Sequence, residues 1–395
     1  MQTHQQKTIP LPIHISVSIQ RGTNLLVTYK VGISGSYGGL NLGDEAILNS
    51  IIAQLRRSLD VEITVFSRNT EDTQVNHAVE HVVEVRHLTK VEIIPQIDSL
   101  NLFILGGGGI FFDKEAEIYL RELEIAHQND VPTMVYGVGA GPLDNENSRK
   151  RVKEVLNYAD VITVRDREAK KIFEDIGVDN PIMITADPAF LLTPEPLPKN
   201  ALKMEQVHGQ RMLVGISVRE PGPAAPDIDP NFYHGLLANA ADFVISRLDA
   251  DVIFVPMERA VFDVQHCHAV ISKMLRPQHA WVLKGDYSPG QLLTFMKHFS
   301  FTIGMRLHFL IFAALQGVPF VALPYASKVS GLLDNLQVPM PPLNRVDSGL
   351  INAYIDKAWD ERSAIKNRIQ QHIPHLKALA AENNRLAVDL LSQRR

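Results

Sequence analysis

The sequence contains little of what a disulfide-bonded, membrane-spanning or polyanion-binding protein requires. Its 395 residues include one cysteine, Cys267, which excludes an internal disulfide and a four-cysteine zinc site. No apolar run reaches the roughly 18 to 20 residues of a transmembrane helix. Lysine and arginine number 39 against 44 aspartate and glutamate residues, so the net charge of −5 argues against a general nucleic-acid-binding protein.

The remaining composition, 45% apolar and 21% charged, is typical of a folded globular protein. Residues 1–22 are polar, contain Pro10 and Pro12, and lack the apolar stretch of a secretory signal. We expect this N-terminal extension to be poorly ordered. We also expect a cytoplasmic location, with peripheral contact at the inner face of the membrane left open and no transmembrane segment.

Short apolar strands alternate with amphipathic helices, a pattern that predicts an α/β protein with mainly parallel sheets. Four prolines within residues 188–198 mark a linker. We therefore predict an N-terminal α/β domain over residues 23–195, a C-terminal α/β domain over 196–347, and C-terminal helices over 348–395 that pack back across the domains. Strand ends that face each other would place a ligand site in the cleft between the domains.

Residues 38–43 read Gly-Gly-Leu-Asn-Leu-Gly, the glycine spacing of a phosphate-binding loop. The next two residues are Asp44 and Glu45 instead of lysine and serine or threonine, and a carboxylate there repels phosphate. A nucleoside triphosphatase is therefore excluded. Tyr37, Asn41 and Asp44 are suited to hydrogen-bond sugar hydroxyls, and a tight βα turn without a ligand is the alternative.

Two further glycine-rich segments, residues 106–109 and 137–141, are predicted to be turns that follow strands. Neither has the spacing of a dinucleotide-binding fold, which argues against a nicotinamide or flavin enzyme. Gly107 and Gly108 are predicted to allow a close approach to the backbone. Residues 77–81 match the H-x-x-E-H pattern of some zinc peptidases but lack a third ligand, so we predict no metal site.

The most informative segment follows a predicted strand at residues 301–303 and a turn at Gly304. Its helix is apolar on all sides and should be buried, yet Arg306 and His308 enter its first turn. Buried cations need a partner. A small anion at the helix N-terminus would satisfy them, and an internal salt bridge to an aspartate or glutamate is the alternative.

Two more cations follow predicted strands of the same domain. Arg219 follows the strand at residues 212–218, and Lys328 comes after the strand at residues 319–325. Because α/β ligands are contacted at the carboxyl ends of strands, both side chains are expected to line the same pocket.

At these positions the chain resembles the polysaccharide pyruvyl transferase family. The matching segments run in family order, at residues 38–48, 105–109, 137–142, 164–166, 186–188, 215–219 and 304–308. The resemblance implies a glycosyltransferase-B-like (GT-B-like) fold, with two Rossmann-like domains facing a central cleft. It also implies transfer of pyruvate from phosphoenolpyruvate to a sugar of a polysaccharide or its precursor, as a ketal that bridges two hydroxyls.

The resemblance also distributes roles among the candidate residues. His308 and Arg306 are the expected catalytic residues, with His308 as an acid or as a ligand of the departing phosphate. The expected donor-binding residues are Arg219, Arg306, His308, Gly304 and Lys328. The expected acceptor-binding residues are Tyr37, Asn41, Asp44, Gly107 and Gly108.

With phosphoenolpyruvate as the co-substrate, we expect neither a cofactor nor a metal. The identity of the acceptor sugar is left open, and so is whether the sugar is free, nucleotide-linked or lipid-linked. Two alternatives also remain open at this point. One is a glycosyltransferase of the same fold that uses a nucleotide sugar, and the other is a non-catalytic sugar-binding relative.

Overall fold

The structure is a computed structural model that describes residues 27–113, 115–219, 229–258, 262–324, 327–338, 340 and 346–393. The predicted N-terminal extension, residues 1–22, lies outside these ranges. Within them the chain forms two parallel β-sheets surrounded by α-helices. This confirms the α/β class with parallel sheets that the alternating pattern predicts.

The first sheet has seven strands, in the order β3-β2-β1-β4-β5-β6-β7, and the second has five, in the order β10-β9-β8-β11-β12. The strands of the first sheet are β1 (Tyr29–Ser34), β2 (Val61–Ser67), β3 (His81–Glu84), β4 (Leu102–Phe111), β5 (Thr133–Ala140), β6 (Val161–Val164) and β7 (Ile182–Ile184). Those of the second are β8 (Met212–Ser217), β9 (Ala250–Phe254), β10 (Ala280–Val282), β11 (Phe301–Gly304) and β12 (Phe320–Ala322).

The helices of the first half are α1 (Leu42–Ser58), α2 (Thr70–Asn76), α3 (Lys90–Asp98), α4 (Ala116–Gln128), α5 (Glu146–Leu156), α6 (Arg167–Asp175) and α7 (Ala201–Met204). Those of the second half are α8 (Pro230–Leu248), α9 (Phe262–Ile271), α10 (Pro289–Met296), α11 (Leu307–Leu315), α12 (Ser327–Leu336), α13 (Ser348–Asp360) and α14 (Arg362–Ser392). Short 3-10 helices span Pro188–Leu191 and Pro277–His279. No helix in the described ranges combines the length and the apolar character needed to cross a membrane.

The strand order reverses between β1 and β4 in the first sheet and between β8 and β11 in the second. At such a reversal the loops after the two central strands turn toward opposite faces of the sheet and leave a crevice between them. Each sheet therefore offers a binding crevice at the carboxyl end of its strands.

Helix α1 shows how the sequence builds the first of these crevices. Asn41 caps it, because its side-chain oxygen accepts a hydrogen bond from the backbone nitrogen of Gly43 at 3.0 Å. Asp44 and Glu45 occupy the first turn, where the helix dipole favours carboxylates. The apolar stripe through Ile47 is fully buried, so α1 is held between the sheets.

The two glycine-rich segments that we predict to be turns are parts of strands, which corrects that prediction. Strand β4 continues through residues 106–109, and β5 includes Gly137 and Gly139. The missing side chains permit close packing instead of a turn. At Gly107, for example, a Cβ atom would lie 2.0 Å from Cγ2 of Ile47, so glycine is required where α1 lies against the strand.

One hydrophobic cluster runs from the first sheet through α1 and the Pro188–Leu191 helix into the second sheet, and another covers the opposite face of the first sheet. The predicted linker is packed into the first cluster, with Phe190 buried. Helix α14 contacts α1 and β5 as well as α11 and α12. Its buried Asn383 accepts hydrogen bonds from the hydroxyls of Thr163 at 2.6 Å and Thr185 at 2.9 Å. The domain boundaries themselves stay a prediction.

Two histidines and a tyrosine join helices α8 and α9. Nε2 of His234 lies 2.8 Å from Nδ1 of His266, and the hydroxyl of Tyr233 lies 2.7 Å from the same nitrogen. Burial lowers the pKa of His234 from 6.5 to about 4, and the neighbouring His266 is the second largest cause of this shift. The lowered pKa favours the neutral form of His234 in this contact.

We expect the free energy of unfolding to decrease as the pH falls from 6.5 toward 4, because the unfolded chain binds a proton at His234 before the folded protein does. The contribution of His234 to the free energy of unfolding is complete above the pKa of the unfolded chain, 6.5. It is lost as the pH falls from there through the folded-state pKa of about 4. The His234→Gln variant should show a flatter pH dependence in urea unfolding, and His268→Gln, on an exposed position of α9, is the control. Equal slopes for His234→Gln and the unsubstituted protein would contradict the prediction.

Candidate active site

A cavity of about 240 Å³ lies where loops from the carboxyl ends of strands of both sheets meet. Charged side chains dominate its wall. Six are basic, namely Arg68, Arg165, Arg219, Arg306, His308 and Lys328, and three are acidic, namely Asp44, Glu115 and Glu258. A concave site with this excess of positive charge attracts small anions.

The two halves of the cavity are joined by backbone contacts at the start of α1. The backbone nitrogen of Leu42 donates to the carbonyl oxygen of Met257 at 2.8 Å. Asn41 forms an isolated antiparallel bridge with Glu258, in the loop after β9. Asn41 and Asp44 therefore line the cavity from the first sheet while the second sheet closes over them.

Arg306 forms an internal salt bridge, which was one of the two alternatives left open by the sequence. Its Nε donates to Asp263 at 2.9 Å, and its Nη2 bonds both to Asp263 and, at 3.2 Å, to Glu258. Asp263 is fully buried and also accepts the backbone nitrogens of Met257 at 3.0 Å and Glu258 at 3.1 Å. The guanidinium lines the cavity, but the protein's own carboxylates compensate its charge.

A second ionic group contains Arg165, Asp187 and His308. Nη1 of Arg165 donates to Oδ2 of Asp187 at 2.9 Å, and Nε2 of His308 lies 3.4 Å from the same oxygen, too far for a strong hydrogen bond. Burial raises the pKa of Asp187, but the charges of His308 and Arg165 outweigh it and hold that pKa well below its usual range.

Two buried nitrogens in this group make no hydrogen bond to any described residue. They are Nε of Arg165 and Nε2 of His308. The side chain of Arg165 is 4% exposed and that of His308 is 11% exposed, so bulk water satisfies neither nitrogen well. Both belong to residues that line the cavity, and an oxygen of a bound anion is the partner that such donors require.

Glycines of the loop at residues 38–43 make room for two cations. A Cβ atom at Gly39 would lie 1.9 Å from Nη2 of Arg68, and one at Gly43 would lie 2.0 Å from Nδ1 of His308. The loop that resembles a phosphate-binding loop thus accommodates a guanidinium and an imidazole from the protein itself, in place of a ligand.

Gly139 does the same for Arg165. A Cβ atom there would lie 2.6 Å from Nη2, 2.7 Å from Nε and 2.8 Å from Cζ of the guanidinium. The Gly139→Ala variant should therefore displace Arg165 and lower kcat/KM about tenfold to a hundredfold, since misplacing a site group by ~1 Å has effects of this size. Gly235→Ala is the control, because a Cβ atom there, on α8 and outside the cavity wall, would have no atom within 4 Å. Steady-state kinetics of both variants test this, and equal losses would contradict it.

The acceptor-side candidates Asn41 and Asp44 lie in the cavity wall as predicted, beside Arg68, which the sequence analysis missed. Nη2 of Arg68 donates to the carbonyl oxygen of Ser36 at 3.1 Å and to its hydroxyl at 3.0 Å. Burial raises the pKa of Asp44, and the positive charges of His308 and Arg68 only partly offset that rise. Asp44 is thus a carboxylate with an increased affinity for protons.

Four other candidates do not line this cavity, and their assignment to the site stays a prediction. Tyr37 is 1% exposed, and its hydroxyl donates to the carbonyl oxygen of Gly106 at 2.8 Å, so it belongs to the core. Gly107 contacts α1, and Gly108 lies beside Asp44 without lining the cavity. At Gly304 a Cβ atom would lie 2.6 Å from Leu310, so this glycine admits α11 and not a ligand.

Arg219 and Lys328 both line the cavity, as their positions after strands predict. Arg165, Asp187 and Arg68 were not assigned to a site from the sequence. The signal that identifies them is the one that places Arg219 and Lys328. Each of the three follows a strand, namely β6, β7 or β2, at the edge where the site forms.

The histidines of the H-x-x-E-H pattern lie in separate contacts. His77 contacts Glu45 at 2.8 Å, whereas His81 contacts Glu62 at 2.9 Å on the surface. Within the described ranges no group of three or more histidine, cysteine, aspartate or glutamate side chains is arranged to hold a metal ion.

Comparison with solved structures defines the class of the fold. The chain is similar to a glycosyltransferase from Rickettsia africae, with a TM-score of 0.62, 9% identity, and 93% of this chain and 100% of that chain covered. It is also similar to the UDP-GlcNAc 2-epimerase of Neisseria meningitidis, with a TM-score of 0.60, 10% identity, and coverage of 93% and 100%. The fold is therefore GT-B-like, as expected.

The family follows from the sequence. A family model described as polysaccharide pyruvyl transferase matches residues 41–327, and the chain belongs to this family. It is also 21% identical over 367 residues to the amylovoran biosynthesis protein AmsJ of Erwinia amylovora, covering 87% of this chain and 83% of that protein. The chain is thus a transferase of polysaccharide biosynthesis.

Proposed function

We propose that this protein transfers pyruvate from phosphoenolpyruvate to two hydroxyls of a sugar in a polysaccharide or its precursor, forming a ketal. The observation that carries the proposal is a cavity with six basic side chains in its wall, of which Arg306 and Arg165 are also paired with the protein's own carboxylates. Its wall also contains two buried nitrogens that make no hydrogen bond within the described ranges. Nε of Arg165 lies 3.6 Å from Oδ2 of Asp166, and Nε2 of His308 lies 3.4 Å from Oδ2 of Asp187. Phosphoenolpyruvate offers a phosphate and a carboxylate to such donors.

The donor is placed on the side of the cavity formed by the second sheet. Arg219 and Lys328 supply positive charge, and the start of α11 presents backbone N–H groups beside His308. Arg306 is expected from the sequence to bind the donor, but its contacts favour a structural role. Because Asp263 and Glu258 hold it, it fixes the loop after β9 and contributes less charge to the donor.

The proposed reaction begins with proton transfer from His308 to the methylene carbon of phosphoenolpyruvate, which leaves an oxocarbenium-like centre at the neighbouring carbon. One sugar hydroxyl attacks this carbon. The carbon–oxygen bond to phosphate then breaks, and the second hydroxyl closes the ketal. Of the two hydroxyl protons, one restores His308 and the other leaves with hydrogen phosphate, so atoms and charge balance.

The acceptor is placed on the side formed by the first sheet. Asn41 and Asp44 can accept hydrogen bonds from sugar hydroxyls. The raised pKa of Asp44 makes its carboxylate a better proton acceptor as each hydroxyl attacks. Arg219 and Lys328 across the cavity offset the negative charge of the phosphate as it leaves.

Binding of phosphoenolpyruvate tests the donor half without knowledge of the acceptor. In calorimetric titrations the Lys328→Met variant should bind phosphoenolpyruvate about tenfold more weakly, the effect of one charge-assisted contact. Lys357→Met is the matched control, since Lys357 is 69% exposed on α13. Equal affinities for all three proteins would contradict the proposed donor site.

Turnover tests the whole reaction. The full chain is incubated with phosphoenolpyruvate and a panel of free, nucleotide-linked and lipid-linked sugars, and free phosphate and the acceptor mass are measured. Release of one phosphate for each acceptor that gains a pyruvate ketal is the expected result. Product formation from a nucleotide sugar alone, with no reaction of phosphoenolpyruvate, would overturn the proposal in favour of a glycosyltransferase.

A further inference from the structure

The wall of the active-site cavity contains aromatic side chains as well as charged groups. Phe112 and Tyr119 line it together with the carboxylate of Glu115. All three follow β4, one of the two central strands between which the order of the first sheet reverses. They therefore lie on the side of the cavity where we place the sugar acceptor, across from Arg219 and Lys328.

The half-buried Phe112 is fixed by the backbone on both sides. The carbonyl oxygen of Phe111 accepts a hydrogen bond from the backbone nitrogen of Gly141 at 2.7 Å, and that of Phe112 accepts one from the backbone nitrogen of Ala116 at 3.0 Å. The side chain of Phe111 is fully buried, with its ring centroid 5.2 Å from that of Phe173. Successive side chains of a strand point to opposite faces, and Phe112 accordingly lines the cavity instead of this core.

The other two groups differ in what they already contact. The guanidinium carbon of Arg86 lies 5.7 Å from the ring centroid of Tyr119, which is 3% exposed. Glu115, the N-cap residue of α4, lies one helical turn before Tyr119, and its carboxylate forms no hydrogen bond or salt bridge with a described residue. Arg68 lies in the same wall and offsets part of its negative charge. Glu115 therefore retains acceptor sites for hydroxyl groups.

An aromatic ring beside carboxylates is suited to a sugar ring. The face of an aromatic ring carries partial negative charge and attracts the C–H hydrogens on the apolar face of a pyranose. The hydroxyls at the edge of the same pyranose donate hydrogen bonds to carboxylate oxygens. Phosphoenolpyruvate uses neither group, because it offers no comparable face and a carboxylate repels it.

We infer that the acceptor's sugar ring stacks on Phe112, and that Glu115 accepts a hydrogen bond from a hydroxyl of the same ring. This inference rests on the proposed function and adds that the acceptor is bound as a closed pyranose with one apolar face against the protein. Stacking fixes the plane of the ring, so that two neighbouring hydroxyls are presented together to Asp44 and the donor.

Saturation-transfer NMR with simple glycosides tests the stacking directly. Methyl glycosides of glucose, galactose and mannose are titrated into the full-length protein without phosphoenolpyruvate, so that no turnover occurs. Sorbitol is the probe that has hydroxyls but no ring face. We expect at least one glycoside to bind, with the strongest saturation on the ring protons of one face. In Phe112→Ala its affinity should fall about tenfold, because the aromatic contact is lost, and Phe112→Trp should retain it.

Phe232→Ala is the matched control, because it removes a phenylalanine that is 47% exposed on α8, outside the cavity wall. Absence of binding by every glycoside, or equal affinities in Phe112→Ala and Phe232→Ala, would overturn the inference. Sorbitol binding that depends on Phe112 would also overturn it, because sorbitol has no ring to stack.

The hydrogen bond to Glu115 is tested with the same glycoside. Glu115→Ala should weaken its binding about tenfold, the usual effect of losing a hydrogen bond to a charged group. Glu117→Ala is the control, since it removes an exposed carboxylate of the same helix outside this cavity. Equal affinities in these two variants would remove Glu115 from the acceptor site. Failure of the proposed function appears differently, as absence of phosphoenolpyruvate binding while glycoside binding still depends on Phe112.

Discussion

Replacement of His308 by alanine is expected to lower kcat by about 10²-fold to 10⁴-fold, the usual contribution of a positioned general acid. His308 lies in the first turn of α11 against Gly43, and its Nε2 is 3.4 Å from Oδ2 of Asp187. The variant would retain the cations that bind the donor but would lack the proton that starts the reaction. Steady-state kinetics with phosphoenolpyruvate and an active acceptor measure the loss.

The controls separate catalysis from folding. His308→Gln retains a hydrogen-bonding side chain of similar size without a titratable proton, so it should lose kcat to a similar extent while binding phosphoenolpyruvate. His127→Ala removes an exposed histidine on α4 and should keep full activity. Unchanged kcat in His308→Ala, with an unchanged circular dichroism spectrum, would remove His308 from the mechanism.

Replacement of Asp263 by alanine is expected to decrease the free energy of unfolding by about 3–5 kcal/mol, the range for removing one partner of a buried ion pair. The change would leave the buried Arg306 with Glu258 as its remaining carboxylate in the described ranges. It would also leave the backbone nitrogens of Met257 and Glu258 without their acceptor. Urea unfolding at neutral pH measures this change.

The matched control is Asp356→Ala, which breaks a pair with Arg247 at 2.9 Å in which both side chains are at least 40% exposed. Such surface pairs contribute about 0–1 kcal/mol. Asp263→Asn keeps an acceptor for the two backbone nitrogens and should have an intermediate effect. A loss in Asp263→Ala no larger than in Asp356→Ala would show that Arg306 does not depend on this carboxylate.

In the proposed site, some charged groups are paired with each other and stabilise the loops, and others would contact a ligand. Asp263 and Glu258 neutralise Arg306, and Asp187 holds Arg165 by one of its nitrogens. The paired groups stabilise the loops in the absence of a ligand, because a buried cation alone would destabilise them. Under the proposed function, Nε of Arg165 and Nε2 of His308, which make no hydrogen bond within the described ranges, would contact the donor.

The sequence by itself determined the α/β class and the edge at which the site forms. Apolar strands that alternate with helices permit few architectures, and ligands bind at the carboxyl ends of parallel strands. Arg219 comes shortly after a strand, and Asp44 and His308 lie in the first turns of helices that follow strands, which was sufficient to place them at this edge. The order of the short motifs along the chain pointed to the family, which the match over residues 41–327 established.

Only the tertiary structure decided which charges pair and why the glycines are there. Arg306 and Asp263 are 43 residues apart, and no local periodicity relates them. The sequence predicts a turn around Gly139 and a loop with phosphate-binding spacing around Gly43. In the structure these glycines make room for the guanidinium of Arg165 and the imidazole of His308, which lie directly on their backbone. Such contacts depend on how separate strands and helices are brought together across the cleft, which is a property of packing in three dimensions and not of spacing along the chain.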